Sequence, residues 1–213
     1  MDLYVFDFHG TLAKGNEHAV VESTNLSLEK HGRKERLTVE DALRWQGRPW
    51  ANYFRELCPD VDEKEIADMV SYAKTFDDYV IPKHTLPMKH ALEVLEQIKR
   101  NRDKILVISS TTPDVLDLYL ECVGMSGLID DRLGITEYEE KCGELNIGEL
   151  KAKKLREYIK DKNFNRIRLV GDTGDDIKAG KLIGAITFYY NPDSKTHDAA
   201  DYSISDLRQL LTK

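Results

Sequence analysis

The chain has 213 residues, of which 41% are hydrophobic, and its formal net charge is -7 at pH 7. This length suits one good-sized domain, or a core domain that carries a smaller insert, and the acidic balance argues against a nucleic-acid partner. A mean hydropathy of -0.50, without a long apolar run, excludes a transmembrane helix and argues against a membrane partner.

The chain begins with MDLYVFDFHGT, which predicts a strand over residues 3–6 that enters a turn. This segment lacks the basic start and the long apolar stretch of a signal peptide, so we expect a cytoplasmic protein. The three cysteines, Cys58, Cys122 and Cys142, occur singly and show no metal-ligand spacing. Their isolation favours reduced thiols over a disulfide framework.

From about Glu17 to Lys83 the sequence has no convincing strand and carries several amphipathic helical patterns. We predict helices over residues 20–30, 38–45, 50–57 and 63–76. Thr38 followed by Asp41 resembles an N-terminal capping box, which supports the start of the second helix. We therefore expect residues 17–83 to form a helical insert, and residues 1–16 with 84–213 to form the core domain.

The part that follows the insert alternates between helices and strands. Short apolar runs rich in β-branched residues predict strands over residues 105–108, 167–170 and 185–189. Helical spacing predicts helices over residues 90–99, 113–123, 151–160 and 176–183. The alternation indicates an α/β fold with a doubly wound parallel sheet. Since ligands bind at the carboxyl ends of strands in such a sheet, the residues that follow each strand are the functional candidates.

Two strand ends carry small polar residues of this kind. Asp7 follows the first strand and precedes a glycine turn, where it can ligate a metal, attack phosphorus, or simply cap the turn. Ser109 and Ser110 follow the strand over residues 105–108. Such hydroxyls can bind phosphate oxygens at a helix start, or they can cap the helix that follows.

A third strand end is strongly acidic. Asp172, Asp175 and Asp176 follow the strand over residues 167–170, and three carboxylates this close repel one another unless a cation is present. Oxygen ligands of this type favour Mg²⁺, whereas a helix N-terminus explains Asp175 and Asp176 but Asp172 less well. A lysine is needed to balance this charge, and the helix upstream offers Lys151, with Lys153 and Lys154 as alternatives.

The order of these residues resembles the haloacid dehalogenase-like hydrolase superfamily, whose four short motifs lie at strand ends. Asp7-Phe8-His9-Gly10-Thr11-Leu12 is similar to the first motif, Asp-x-Asp-Gly-Thr-Leu. Ser109 is similar to the second motif, Lys151 at a helix start to the third, and Gly171-Asp172-x-x-x-Asp176 to the fourth. The resemblance implies a Rossmann-like core with a helical cap inserted between motifs one and two.

The resemblance also implies a mechanism, in which Asp7 attacks phosphorus and forms an aspartyl-phosphate that water hydrolyses. It implies a magnesium-dependent phosphatase for a small phosphorylated metabolite. The expected metal ligands are Asp7, the carbonyl of His9, Asp172 and Asp176. Ser109 and Lys151 are expected to hold the phosphoryl oxygens, with further substrate contacts from Gly10, Thr11 and Ser110.

The departure from the family pattern is His9, because the phosphatases of this family carry aspartate there as acid and base. Histidine can perform both roles near neutral pH, with an ordinary pKa of about 6.5. A neighbouring Mg²⁺ disfavours the imidazolium and so weakens this residue as an acid. We therefore expect a working but slow phosphatase.

The insert carries a further candidate and leaves other functions open. Arg48, within Trp45-Gln46-Gly47-Arg48-Pro49-Trp50, could reach a substrate carboxylate or second phosphate, or the segment could be a plain connector between helices. The alternatives are a haloacid dehalogenase, which would not need the acidic cluster, a phosphonatase, which would need a cap lysine such as Lys30 or Lys34, and a phosphate-binding regulatory module. The sequence predicts neither the substrate nor the oligomeric state.

Overall fold

The centre of the fold is a buried strand, β1 (Leu3–Phe6), in the computed structural model, which describes residues 1–135 and 146–213. After it come a short strand β2 (Ala13–Lys14) and five helices, α1 (Asn16–Lys30), α2 (Val39–Arg44), α3 (Trp50–Leu57), α4 (Glu63–Lys74) and α5 (Asp77–His84). A short strand β3 (Leu86–Pro87) then pairs antiparallel with β2. The two connections between the helical segment and the rest of the chain therefore lie side by side.

The remaining described elements alternate along the chain. They are α6 (Ala91–Arg100), β4 (Lys104–Ser109), α7 (Pro113–Cys122), β5 (Asp131–Gly134), α8 (Ile147–Ile159), β6 (Ile167–Gly171), α9 (Gly174–Leu182), β7 (Ile186–Tyr190), β8 (Tyr202–Ile204) and a terminal 3₁₀ helix (Leu207–Thr212). Six strands form one parallel sheet in the order β5-β4-β1-β6-β7-β8. This arrangement confirms the predicted doubly wound α/β fold.

Helices cover both faces of the sheet, which explains why β1 is apolar throughout. Tyr4 and Phe6 face a core formed with α6, α7 and the 3₁₀ helix. Leu3 and Val5 face the opposite core, formed with α8 and α9. The helices between β2 and β3 have further apolar clusters of their own, one of them around Leu28, Phe54 and Met69.

Several predicted boundaries were wrong. The helix predicted over residues 151–160 begins at Ile147, because Asn146 caps it by accepting a hydrogen bond from the Glu149 amide at 3.0 Å. Lys151 therefore lies one turn inside α8 and not at its start. Helix α1 begins at Asn16, and α4 ends at Lys74.

Four strands, one α-helix and the terminal 3₁₀ helix were not predicted, and β2 and β3 have only two residues each. β5 and β8 are short strands at the two edges of the sheet, and most of their residues are polar or exposed. They therefore lack the apolar run that predicts a buried strand. α5 contains Pro82, which argues against a helix when the sequence is considered alone. Cys58 and Cys122 are free thiols, whereas Cys142 lies outside the described residues. None of the described helices has the length and apolar character needed to cross a membrane.

Candidate active site

The candidate residues meet because three neighbouring strands end at the same edge of the sheet. β1 pairs with β4 on one side and with β6 on the other, so the segments after these strands lie side by side. A cavity of about 820 Å³ opens there. Asp7, Ser109, Lys151 and Asp172 line it together with residues of the helices between β2 and β3.

Lys151 ties two of the strand-end carboxylates together. Its ammonium group donates to Asp7 Oδ1 at 2.6 Å and to Asp176 Oδ1 at 2.6 Å, and all three residues are buried. Burial by itself would lower the pKa of Lys151, but the carboxylates of Asp176 and Asp7 outweigh that effect and raise it. Of the three candidate lysines Lys151 makes these contacts, whereas Lys153 is exposed to solvent.

Three carboxylates crowd this end of the cavity. Asp7, Asp172 and Asp176 each offer an oxygen, and these oxygens all lie within 4.8 Å of one another. Burial raises the pKa of Asp7 to about 8, against the effect of Lys151 and with the help of Asp176 and Asp172. Burial, followed by the Asp176 charge, raises the pKa of Asp172 to about 6. Such an all-oxygen set with too little positive charge fits a hard divalent cation.

The loop between β6 and α9 fixes Asp176 through a capping box. Asp176 Oδ2 accepts hydrogen bonds from the Thr173 amide at 3.1 Å and from the Thr173 hydroxyl at 2.6 Å, and the Thr173 hydroxyl accepts one from the Asp176 amide. Gly171, the last residue of β6, has no room for a side chain, because a Cβ there would lie 2.2 Å from Asp176 Cβ. Asp176 therefore has both oxygens engaged, and it holds Lys151 in place.

The other possible metal ligands keep free oxygen positions. Asp172 Oδ1 accepts a hydrogen bond from the Thr11 hydroxyl at 3.3 Å, which leaves Oδ2 without a described donor. The carbonyl oxygen of His9 accepts no hydrogen bond from the described residues. Among the four expected ligands, Asp7, the His9 carbonyl and Asp172 thus have free acceptor capacity for a cation.

Two of the expected substrate contacts are placed differently from the prediction. Thr11 is fully buried and does not line the cavity, because its hydroxyl points to Asp172. Gly10 lines the cavity, but its amide donates to the carbonyl of Ala13 at 2.8 Å and is not available to a phosphate. A Cβ at Gly10 would lie 2.1 Å from Asp172 Oδ2, so this glycine is required for the close approach of the two loops.

The remaining predicted contacts do reach the cavity. Ser109, Ser110 and Arg48 line it. Ser109 Oγ accepts a hydrogen bond from the Thr111 amide at 3.1 Å. Arg48 pairs at the surface with Glu56 at 3.1 Å.

The lysines named for a phosphonatase are placed elsewhere. Lys30 and Lys34 do not line the cavity. Lys74 of α4 lines it and already has an interaction partner.

His9 is held by residues that the sequence analysis did not single out. Its Nε2 lies 3.1 Å from Thr111 Oγ1, and its ring packs edge-on against Tyr119 at 4.6 Å between centroids. Burial and the Lys151 charge lower the pKa of His9 to about 4. Thr111 and Tyr119 are more than a hundred residues away along the chain, so no local pattern could have revealed that they contact His9. Thr173, by contrast, could have been found, because Thr-x-x-Asp at a helix start is a capping pattern.

Comparisons with known proteins agree with this architecture. The family model described as haloacid dehalogenase-like hydrolase matches residues 4–189. No curated protein sequence matches the chain.

Many solved structures share the fold, and three of them are described here. A protein described as a predicted phosphoglycolate phosphatase from Haemophilus somnus superposes with a TM-score of 0.82 at 16% identity, over 100% of this chain and 97% of its own. CbbY from Rhodobacter sphaeroides, in complex with phosphate, gives 0.78 at 15% identity, over 99% and 96%. A haloacid dehalogenase-like family protein from Streptococcus pneumoniae gives 0.75 at 12% identity, over 100% and 97%. At these identities the likeness shows the fold.

Proposed function

The chain belongs to the haloacid dehalogenase-like hydrolase family, and we propose that it is a magnesium-dependent phosphatase that hydrolyses a small phosphorylated metabolite through an aspartyl-phosphate on Asp7. The observation that carries the proposal is the shared contact of Lys151 with Asp7 and Asp176 beside the Asp172 carboxylate. Residues 17–83 are proposed as a cap over a core of residues 1–16 and 84–213, and the cavity lies between these two parts.

The proposed roles of the residues are consistent with their positions. Asp7 attacks phosphorus as the alcohol leaves, and a water molecule then hydrolyses the aspartyl-phosphate. Lys151 neutralises charge beside the nucleophile and is itself held by Asp176. Ser109 and Ser110 offer hydroxyls to the phosphoryl oxygens from the end of β4. Phosphoryl transfer depends mainly on such positioning and charge neutralisation.

Asp7, the His9 carbonyl and Asp172 would hold a magnesium ion, with Asp176 acting through Lys151. When bound, this ion would supply the positive charge that the crowded carboxylates and a phosphoryl group together require. His9 is proposed to take a proton from the attacking water and to give one to the leaving alcohol, and because its lowered pKa leaves little imidazolium at neutral pH, the proton donation would be slow. Thr111 and Tyr119 hold its ring, and His9 lines the same cavity as Asp7.

The alternatives have less support. A dehalogenase would have no need for the carboxylates of Asp172 and Asp176, which Thr11 and Thr173 hold in place. A phosphonatase would need a lysine directed into the cavity from the cap, and Lys30 and Lys34 do not reach it. A regulatory phosphate-binding module would use the same residues without turnover, and experiment distinguishes it.

The test is phosphate release from a generic aryl phosphate, with Mg²⁺ or with a chelator. We expect metal-dependent release from the unmodified protein, loss of release in Asp7→Asn, and normal release in Asp198→Asn, which changes an exposed aspartate outside the cavity. Absence of release, together with calorimetric binding of Mg²⁺ and phosphate, would indicate the regulatory module. Chloride release from a 2-haloacid without metal would indicate the dehalogenase.

A further inference from the structure

The helices between β2 and β3 give the cavity an apolar wall. Val20 of α1, Leu43 of α2 and Trp50 of α3 all line it. Leu43 is 52% exposed, which is high for a leucine on a helix that packs against its neighbours. These side chains come from three different helices, so the wall is a feature of the folded insert and not of one segment.

Several polar groups beside these apolar side chains already have partners. Ser23 donates to a backbone carbonyl one turn earlier in α1 at 3.0 Å, and the indole N–H of Trp50 donates to the Thr24 hydroxyl at 2.8 Å. The guanidinium of Arg48 is paired with Glu56. The Ser23 hydroxyl and the indole N–H are therefore taken as donors, so a hydroxylated ligand next to Val20 and Trp50 finds few free donors there.

The size of the cavity leaves room for a substantial organic group. Its volume of about 820 Å³ lies in the range of roughly 300–1,000 Å³ that is typical of sites for organic ligands. A polyhydroxylated group placed against this wall would lose hydrogen bonds to water without replacement. An apolar group would gain free energy by leaving water.

We propose that the organic part of the substrate is apolar, so that the enzyme acts on alkyl or aryl phosphates in preference to sugar phosphates. The phosphoryl group would lie at the Asp7 end of the cavity and the apolar group against Val20, Leu43 and Trp50. This inference rests on the proposed function, because it assumes that the phosphoryl group binds beside Asp7.

The test compares hexyl phosphate with hexitol phosphate, which have the same carbon chain length and differ in hydroxylation. We expect kcat/KM to be higher for hexyl phosphate by about tenfold or more, the scale of discrimination in an apolar pocket. Leu43→Asn, which keeps the side-chain size, should reduce this ratio. Leu182→Asn should leave it unchanged, because Leu182 is also exposed, at 41%, but lies on α9 outside the cavity.

A binding measurement keeps this inference separate from the proposed function. Calorimetric titration of Asp7→Asn with the same two esters in Mg²⁺ should give a dissociation constant about tenfold lower for hexyl phosphate, whether or not the unmodified protein turns over. Equal or tighter binding of hexitol phosphate, or a ratio that Leu43→Asn does not change, would overturn the inference. Failure of all esters to release phosphate from the unmodified protein would instead count against the proposed function.

Discussion

Replacing Asp7 by asparagine should change how the stability of the metal-free protein depends on pH. In the folded protein the pKa of Asp7 is raised from its ordinary value of 3.8 to about 8, first by burial. Between these two values the folded state binds a proton that the unfolded chain has released. The free energy of unfolding therefore falls as pH rises through this window, and Asp7→Asn removes that slope.

Between about pH 6.5 and pH 8, Asp7 is the main cause of the pH dependence of stability. The pKa of Asp172 is raised to about 6, so its contribution, which has the same sign, is largely complete below that range. The pKa of His9 is lowered from 6.5 to about 4, so its contribution has the opposite sign and also ends near pH 6.5. Over the remaining pH units, at about 1.4 kcal/mol each, Asp7 accounts for about 2 kcal/mol. In a chain of this size that corresponds to a Tm change of about 5 °C.

The assay is thermal unfolding of the unmodified protein, Asp7→Asn and the surface control Asp198→Asn, in chelator, across that pH range. We expect the Tm of Asp7→Asn to rise relative to the other two proteins as the pH increases. Saturating Mg²⁺ should remove the difference in slope, since a bound cation keeps Asp7 ionised in the folded state. A constant Tm difference between Asp7→Asn and the unmodified protein from pH 6.5 to pH 8 in chelator would refute the reasoning.

Three further outcomes are expected. Lys151→Met should lower kcat/KM by about 10²–10³-fold, the scale for loss of one preorganised hydrogen-bond donor. Lys153→Met, at an exposed position, should leave kcat/KM unchanged. Equal effects of the two substitutions would contradict the choice of Lys151 as the site lysine. His9→Asp should raise kcat at saturating Mg²⁺ in a phosphate-release assay. A lower kcat would contradict the hypothesis that His9 limits the rate. Gly10→Ala should lower the Tm more than Gly47→Ala: φ is 82° and 85° at the two positions, so the backbone cost is shared, but only the first Cβ meets Asp172. Similar losses would exclude the close approach as the reason for Gly10.

The sheet could be predicted where its strands are buried on both faces. Residues 3–6 and 105–108 are continuous apolar runs because helices cover both sides of the sheet. The strand Asp131–Gly134 could not be predicted, since it lies at the sheet edge and begins with two exposed charged residues.

The site, too, could be predicted only in part. The strand-end aspartates can be identified in the sequence because they come directly after the predicted strands. The choice of Lys151 over Lys153 requires the fold, because Asp7 is 144 residues away.

The charges of the site imply that cation and substrate bind together. Three ionised carboxylates and one ammonium, those of Asp7, Asp172, Asp176 and Lys151, carry a formal charge of -2. The metal-free protein can relieve this charge by keeping a proton on Asp7, which also blocks it as the proposed nucleophile. A phosphate monoester dianion brought to the same place adds to the repulsion, whereas a divalent cation cancels the excess and releases the proton. Each ligand therefore favours the other, and by linkage the affinity for Mg²⁺ should rise with phosphate by the same factor as the affinity for phosphate rises with Mg²⁺.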